Sequence, residues 1–564
     1  MSYKELYTTW LNHKNVDSEE LKILQSMSDE EIKDAFYTDI AFGTAGMRGI
    51  LGPGSNRINI HTIRKATLGY IKEVIKSDKA KERGVAIGYD NRYMSYELAN
   101  DCAKLFSMYK INAYIYKSLR PTPMLSYAVR KLNCYGGIMI TASHNPKEYN
   151  GYKLYDEHGC QLIPTLIKPI IDNINSIDNC LDIYLDDSRV DNKFIHFIKD
   201  DVDNAYYDAV MNICLNKDID KSNLKIIFTP QHGTANKPVK KVLDMGGYNY
   251  ISVEEQCSPD PEFPNTISLN PEEHKSYDLA IEYAKKYDGD IILSCDPDAD
   301  RMGVVVKHNN EYIYLTGNQS GAILLEYLFS NMSTRNLIAN NAIMFNTIVT
   351  SDLGELIAKN YNVECEKTLT GFKFIGEKIE NYNLNATKQF VFGYEESYGY
   401  LLNDMVRDKD AVQACLLLSE AAAFYKLQGK TLYDVLQEIY EKYGYYLDTQ
   451  SSIVANGKDG LEKMNTMLSN LRNNPFTSID KYKVVKVEDY LNKISINDNG
   501  LTSLDGFDKA DVLKYYLEDN SWVAIRPSGT EPKCKIYYCI VGKDKEEVDS
   551  KYSTISSYIN EYLR

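Results

Sequence analysis

Tryptophan is nearly absent, with two in 564 residues, and no apolar run comes near the ~20 residues that a membrane-spanning helix needs. The lack of such a run excludes an integral membrane protein of the helical kind. The N-terminus, Met-Ser-Tyr-Lys-Glu-Leu-Tyr, is polar and amphipathic and lacks the apolar core of a secretory leader, so the expected location is the cytoplasm. Cysteine is present but without Cys-x-x-Cys spacing. Its eleven copies, an odd number, argue against a disulfide framework and for a reducing compartment. Positive charge is in deficit, at a formal net charge of −15, which excludes non-specific nucleic-acid binding. What remains is a globular composition, 44% hydrophobic and 25% charged, with length for about three or four domains.

Within that frame the chain carries four chemically loaded loops, each behind a strand-like apolar run. In residues 136–146, Gly-Gly-Ile-Met-Ile-Thr-Ala-Ser-His-Asn-Pro, a strand stops and presents Ser143 and His144 on a tight turn ended by Pro146. A strand followed at once by such a turn is how an α/β sheet exposes a nucleophile at the carboxyl ends of its strands. Ser-His-Asn-Pro is also ordinary turn chemistry, and a second loop decides between the two readings. There, after the apolar run that starts at Asp290, Asp296, Asp298 and Asp300 alternate in Cys-Asp-Pro-Asp-Ala-Asp-Arg. Three carboxylates at spacing two in an extended loop turn their oxygens to one side and repel, unless a hard divalent cation joins them. Mg²⁺, one per chain, suits few protein carboxylates plus a phosphate oxygen. A Ca²⁺ loop of the EF-hand type is excluded, because its glycine and distal glutamate are missing.

The remaining two loops supply binding groups. Arg526-Pro-Ser-Gly-Thr-Glu-Pro-Lys533 joins two strand-like runs. Its Arg526 offers a bidentate fork, Ser528 and Thr530 offer hydroxyls, and Gly529 allows close backbone approach, a set suited to a phosphate. Phe392-Gly-Tyr-Glu-Glu-Ser-Tyr-Gly-Tyr places Glu395 and Ser397 at spacing two, able to accept hydrogen bonds from sugar hydroxyls. Arg407-Asp-Lys-Asp follows; on its own it reads as a surface salt-bridge cluster ahead of a helix that begins near Ala411. No Gly-x-Ser-x-Gly surrounds Ser143, which disfavours acyl transfer. Phosphoryl transfer is the better account of a serine beside a metal triad and a phosphate nest. The cationic residues Arg48, Lys153, Arg301, Lys409, Arg526 and Lys533 lie in or beside these loops, where they offset a diffuse negative surface.

Along the chain, the first ~40 residues read as helical, with Asp17-Ser-Glu-Glu as a capping signal. The patterns then predict a helix over 62–76, a strand over 85–89, a helix over 96–109, a strand over 113–116 and the Ser143 strand. The alternation of strand and helix restarts near 206 and again near 319, each time ending in a loaded loop. The last ~120 residues lack it. The acidic segment 178–192 reads as surface, and the Asn-, Lys- and Ser-rich stretch 450–500 as containing variable loops.

Nucleophile, metal triad, hydroxyl acceptors and phosphate nest, in this order, resemble the α-D-phosphohexomutase superfamily over essentially the whole length. The carrying motifs are Thr-Ala-Ser-His-Asn-Pro, Asp-Pro-Asp-Ala-Asp-Arg and Arg-Pro-Ser-Gly-Thr-Glu-Pro. Gly-Phe-Lys-Phe-Ile-Gly, residues 371–376, and Tyr-Glu-Glu-Ser-Tyr-Gly-Tyr point to the branch of bacterial-type phosphoglucomutases, phosphopentomutases and glucose-1,6-bisphosphate synthases. The resemblance implies an α/β fold of three similar domains with mixed, mostly parallel sheets plus a C-terminal α+β domain, around a central cleft. The boundaries expected are 1–205, 206–318, 319–440 and 441–564.

It further implies an enzyme that carries phosphate on Ser143 and interconverts glucose 1-phosphate and glucose 6-phosphate through glucose 1,6-bisphosphate, as a monomer or homodimer. Metal ligands would be Ser143, Asp296, Asp298 and Asp300. Substrate would be held by Arg301, Thr370, Gly371, Lys373, Glu395, Ser397, Arg526, Ser528, Gly529, Thr530 and Lys533. The general base stays open among His144, Lys153 and Lys409, since a lysine surrounded by cations has a lowered pKa and can act as one. Arg48 either stabilises phosphate charge or makes a salt bridge at the start of a helix. Three departures from the better-known glucose branch bear on sugar identity: Phe372 in place of Trp, Tyr394 in place of Gly, and one extra residue between Ser397 and Lys409. Alternatives are a pentose or mannose mutase, a bisphosphate synthase, or a non-catalytic phosphosugar sensor, which would be expected to have lost Ser143 or one of the three aspartates.

Overall fold

The computed structural model describes residues 2–43, 46–454, 460–527 and 533–563. They fall into two compact units: Met1–Gly317 with Phe372–Thr431, and Asn318–Gly371 with Leu432–Arg564.

The first unit opens with three short helices, Tyr3–Asn12, Ser18–Ser26 and Asp29–Phe36, each begun by a capping box. The expected Asp17 signal is one of them: its carboxylate accepts from the N–H groups of Glu19 and Glu20. A six-stranded sheet follows. Its centre is parallel, with Val85–Tyr89 between Ala113–Ile115 and Gly136–Ile140, and Ile195–Phe197 beyond Ala113–Ile115. One side turns antiparallel, through Tyr149–Tyr155 and then Met47–Ile50. Strands Val85–Tyr89 and Gly136–Ile140 are buried along their whole length, which is why they read as continuous apolar runs rather than alternating ones. Helices Ile60–Val74 and Ser95–Met108 cover the sheet. The first starts two residues earlier than its apolar spacing predicts, because Asn59 caps it in a box with Thr62.

A second sheet repeats the plan. Ile226–Thr229 lies parallel to both Tyr250–Ser252 and Ile291–Cys295, and Met302–His308 and Glu311–Leu315 complete it antiparallel. The same unit also contains the hairpin of Gln389–Glu395 with Gly399–Leu401, and the helix Ala411–Lys426, buried except at Phe424 and Lys426. The three loaded loops of this unit therefore share one topological position. Each connects a strand to its antiparallel return: Ile140 pairs with Tyr152, Cys295 with Met302, and Glu395 with Gly399.

The second unit contains the parallel pair Ala342–Thr347 and Glu364–Thr368. It also contains a largely antiparallel sheet that includes Tyr445–Val454, Tyr482–Asp489, Leu513–Leu517, Trp522–Pro527 and Lys533–Gly542. The stretch 450–500, expected to contain variable loops, also carries regular elements. Helix Gly460–Asn473 and strands Tyr482–Asp489 and Ile494–Asn497 occupy much of that stretch. Met464, Leu468 and Leu471 of the helix are buried, so a thin apolar stripe suffices where most other positions are polar. The acidic segment 178–192 is likewise pinned, by buried Cys180, Leu181, Ile183 and Leu185. Helix Gly317–Thr334 has apolar residues on all sides and so shows no helical spacing pattern in the sequence.

Candidate active site

The connection between Gly136–Ile140 and Tyr149–Tyr155 brings Ser143 to the carboxyl end of the parallel strands. Ser143 has φ of +51°, a left-handed conformation that is uncommon outside glycine and costs about 1–2 kcal/mol. Its Oγ donates to Asp296 Oδ2 at 2.7 Å and lies 3.2 Å from His144 Nδ1. Lys153, ten residues further on, reaches the same place because it stands on the return strand, paired with Met139.

The aspartate loop is a tight turn rather than the extended segment expected from its spacing. Ala299 adopts φ of +53°, and its N–H donates to the Asp296 carbonyl at 2.9 Å. That turn, not strand alternation, makes the carboxylates converge: one oxygen each from Asp296, Asp298 and Asp300 lie within 4.8 Å of one another, all buried. A neighbouring loop braces it from behind. Thr234 donates to the Pro297 carbonyl from both its N–H and Oγ1, and a Cβ on Gly233 would stand 2.5 Å from Pro297 Cα. Thr122, after strand Ala113–Ile115, donates to the Asp298 carboxylate and its carbonyl, each at 2.9 Å.

Cations back the triad. Lys153 Nζ is 3.0 Å from Asp298 and 3.9 Å from Asp300, and Lys409 Nζ is 3.0 Å from Asp300 and 3.4 Å from Asp408. Tyr155 donates to the far oxygen of Asp408 at 2.8 Å. Arg301 donates its N–H to Asp296 at 3.0 Å and its guanidinium to Glu272 at 2.8 Å. Arg407, Asp408 and Asp410 are buried, so the surface-cluster reading of this tetrapeptide is overturned; Asp410 caps helix Ala411–Lys426. Gly399 carries no side chain where the Lys409 stem crosses it, with Lys409 Cδ 2.1 Å from the place of a Cβ.

These contacts set the protonation of the groups. Burial, with repulsion from Asp300 and Asp298, holds the Asp296 carboxyl well above its usual range. Burial would raise Asp298 too, but the Lys153 ammonium takes it below the usual carboxylate range. Burial opposes the charge on Lys409, and Asp300 and Asp408 outweigh it, so its pKa is raised. A base role for Lys409 through surrounding cations is thereby corrected, because its neighbours at contact distance are carboxylates. Burial, helped by Arg301 and Arg48, pushes His144 well below the ordinary imidazole value. The donor set fits a hard divalent cation. Asp298 Oδ1 and Asp300 Oδ1 are buried with no hydrogen-bond partner among the described residues, which is costly unless a cation takes them.

Arg48 lies on strand Met47–Ile50, not at a helix start, and donates to Asn145 Oδ1 at 2.8 Å. Glu395 ends strand Gln389–Glu395 and is buried, with Ser397 half-buried on the turn that follows. Lys373 is buried in the first turn of helix Phe372–Asn385, its Nζ 5.2 Å from the Phe374 ring centre. Of the departures, Tyr394 is wholly buried and changes packing, whereas Phe372 has Lys409 Nζ 5.7 Å from its ring centre. In the second unit, Thr370 and Gly371 follow strand Glu364–Thr368, with Gly371 at φ of +119°. Arg526 stands in strand Trp522–Pro527, paired with Lys535, and Lys533 begins the strand Lys533–Gly542 of the same hairpin; Ser528, Gly529 and Thr530 lie outside the described residues. Thr122, Tyr155, Asp408 and Glu272 are site residues that sequence reasoning missed. The only signal for them is Pro121-Thr-Pro123 at a helix start and the position of Asp408 beside Lys409.

Four family domains match in sequence order: phosphoglucomutase/phosphomannomutase alpha/beta/alpha domains I, II and III at residues 39–180, 204–309 and 316–443, and the C-terminal domain at 473–549. The chain belongs to the phosphoglucomutase/phosphomannomutase family. It is an enzyme of the phosphohexomutase class, an isomerase. A phosphoglucomutase of Staphylococcus aureus strain MRSA252 is 37% identical over 549 residues, 97% of each chain, and that of strain MSSA476 matches equally. The fold is that of the Paramecium phosphoglucomutase pp63/parafusin, with a TM-score of 0.68 at 18% identity over 93% of this chain and 94% of that one. A phosphoglucomutase/phosphomannomutase family protein from Burkholderia thailandensis gives 0.66 at 17% over 92% and 97%. Among the described residues no helix is long and apolar enough to cross a membrane.

Proposed function

We propose that this enzyme is a phosphoglucomutase, interconverting glucose 1-phosphate and glucose 6-phosphate through a phosphoserine at Ser143 and glucose 1,6-bisphosphate. The observation that carries the reading is Ser143 Oγ at 2.7 Å from Asp296 within the buried carboxylate triad. The full-length relatives named phosphoglucomutase support the choice of sugar. Asp296, Asp298, Asp300 and a Ser143 phosphate oxygen would hold Mg²⁺, which supplies screening of the charge on the transferring group.

The substrate hydroxyl attacks the phosphorus on Ser143, the bond from phosphorus to Oγ breaks, and the bisphosphosugar returns its other phosphate to Ser143 after turning over. His144 accepts the hydroxyl proton. Of the three candidates, it is the one whose surroundings keep it neutral, while Lys153 and Lys409 are paired with carboxylates. Glu395 and Ser397 accept from sugar hydroxyls, with Thr370, Gly371 and Lys373 beside the sugar. Arg526, Ser528, Gly529, Thr530 and Lys533 bind the non-reacting phosphate; Arg48 and Arg301 hold phosphate charge. The domains are 1–205, 206–318, 319–440 and 441–564, and the enzyme works in the cytoplasm as a monomer or homodimer.

A coupled turnover assay on glucose, mannose and ribose 1-phosphates, with and without the matching bisphosphate, tests the sugar. Preference for glucose 1-phosphate, with activation by glucose 1,6-bisphosphate, is expected. Faster turnover of ribose or mannose 1-phosphate, or net synthesis of bisphosphate, would replace this reading with the corresponding alternative.

A further inference from the structure

Arg92 reaches the nucleophile loop from a separate element. It follows strand Val85–Tyr89 in the turn Asp90-Asn-Arg92, and its side chain is fully buried. Nη1 donates to the carbonyls of Pro146 and Tyr149 at 2.7 and 3.0 Å. Nη2 donates to the Ser143 carbonyl at 2.6 Å and to the Asn145 carbonyl. Asp90 stands behind it, 3.4 Å from Nε, and the Phe263 ring centre lies 5.4 Å from the guanidinium carbon. One planar guanidinium thus gathers carbonyls from both ends of the connection that carries Ser143. A lysine ammonium has only three donors on a single nitrogen and cannot reproduce that fork.

The loop needs such a hold. Ser143 sits in a left-handed conformation, and Pro146, Lys147 and Glu148 beyond it are exposed and give it little packing. The strand pairing on either side, Ile140 with Tyr152, ends before the loop begins. Held at its own carbonyl by Arg92, Ser143 keeps its Oγ on Asp296.

The geometry points to Arg92 as a positioning residue for phosphoryl transfer: its grip on four backbone carbonyls fixes where Ser143 presents its oxygen to the metal triad. The inference rests on the reading of Ser143 as the phosphorylated nucleophile. It requires Arg92 to act on the rate of transfer at Ser143, and not on the affinity for sugar.

The test compares full-length wild type, Arg92→Lys and Arg92→Ala. Isotopically labelled glucose 1,6-bisphosphate reports the rate of Ser143 phosphorylation; mutase kcat and KM are measured alongside, with and without added guanidinium. Both variants should lose about 10²-fold in kcat and in labelling rate, the scale of a small misplacement of a reacting group. KM should stay at the wild-type value. Guanidinium, which fits the vacated buried space, should partly restore Arg92→Ala and leave Arg92→Lys unchanged. If wild type itself takes no label on Ser143, the nucleophile assignment fails, and this inference with it. If wild type is labelled and Arg92→Ala is labelled at the same rate, only the role of Arg92 is overturned. Parallel loss of thermal stability and sugar affinity, with no response to guanidinium, also overturns it and makes Arg92 a support of the fold.

Discussion

Lys409→Met removes a charge from the triad while keeping a stem of similar length over Gly399 and Phe372. Lys409 Nζ is 3.0 Å from Asp300 and 3.4 Å from Asp408, and the three side chains are largely buried. At 3.0 Å and an effective dielectric near 20, one such pair interacts by about 5–6 kcal/mol before desolvation is counted. Breaking a buried pair by removing one partner costs about 3–5 kcal/mol net, because the other charge stays behind. In chelator, the variant should therefore unfold at a lower temperature, by about 1 °C for each kcal/mol lost, because the unfolding entropy scales with the size of the unit that holds Lys409. Mg²⁺ should recover more of that loss than it adds to wild type, since the ion then replaces a cation that the carboxylates lack. Thermal unfolding of both proteins, with EDTA and with saturating Mg²⁺, gives the four midpoints required. Equal Mg²⁺ shifts in the two proteins, together with an unchanged midpoint in EDTA, would refute the idea that lysine and metal share one buried field.

Three further outcomes follow from the same geometry. Asp298→Asn should abolish Mg²⁺-dependent turnover and spare phosphosugar binding measured by calorimetry; near-normal rates without divalent ion would count against the triad. Arg526→Ala should remove a charge-assisted contact of about 1.5–3 kcal/mol and so raise KM for 1-phosphate and 6-phosphate sugars alike by about one to two orders of magnitude; an effect on one isomer only would show that the phosphate site does not serve both. Lys514 is wholly buried, donates to the Ile348 carbonyl at 2.8 Å, and stands 3.9 Å from the Trp522 ring centre. Burial, opposed by Asp352, lowers its pKa from 10.5 to about 8, so the unfolded chain binds the extra proton between those values and wild-type stability gains from rising pH across that window, a gain that Lys514→Met should lack in paired denaturation curves.

The nucleophile and metal loops were legible because strand, turn and reactive side chain are contiguous: Gly136–Ile140 ends at once in Ser143, and Ile291–Cys295 in Asp296. Their partners were not. Thr122 meets Asp298 across 176 positions, and Tyr155 meets Asp408 across 253. Arg92 resembles any turn arginine until the fold lays the 143–149 carbonyls over it. Local spacing also misled where three-dimensional context decides. Asp296, Asp298 and Asp300 converge through the left-handed Ala299 rather than through an extended strand. Lys409 lost its reading as part of a surface cluster only when Arg407, Asp408 and Asp410 proved buried. Helix Gly460–Asn473 hid in an Asn- and Lys-rich stretch because, among its described side chains, only Met464, Leu468 and Leu471 are buried, in a thin stripe.

Phosphosite mapping by mass spectrometry tests the central claim most directly, on active enzyme before and after incubation with glucose 1,6-bisphosphate. The account predicts phosphate on Ser143, rising with the bisphosphate and discharged by glucose 1-phosphate, and no turnover in Ser143→Ala. Full turnover by enzyme whose Ser143 is never modified would contradict it.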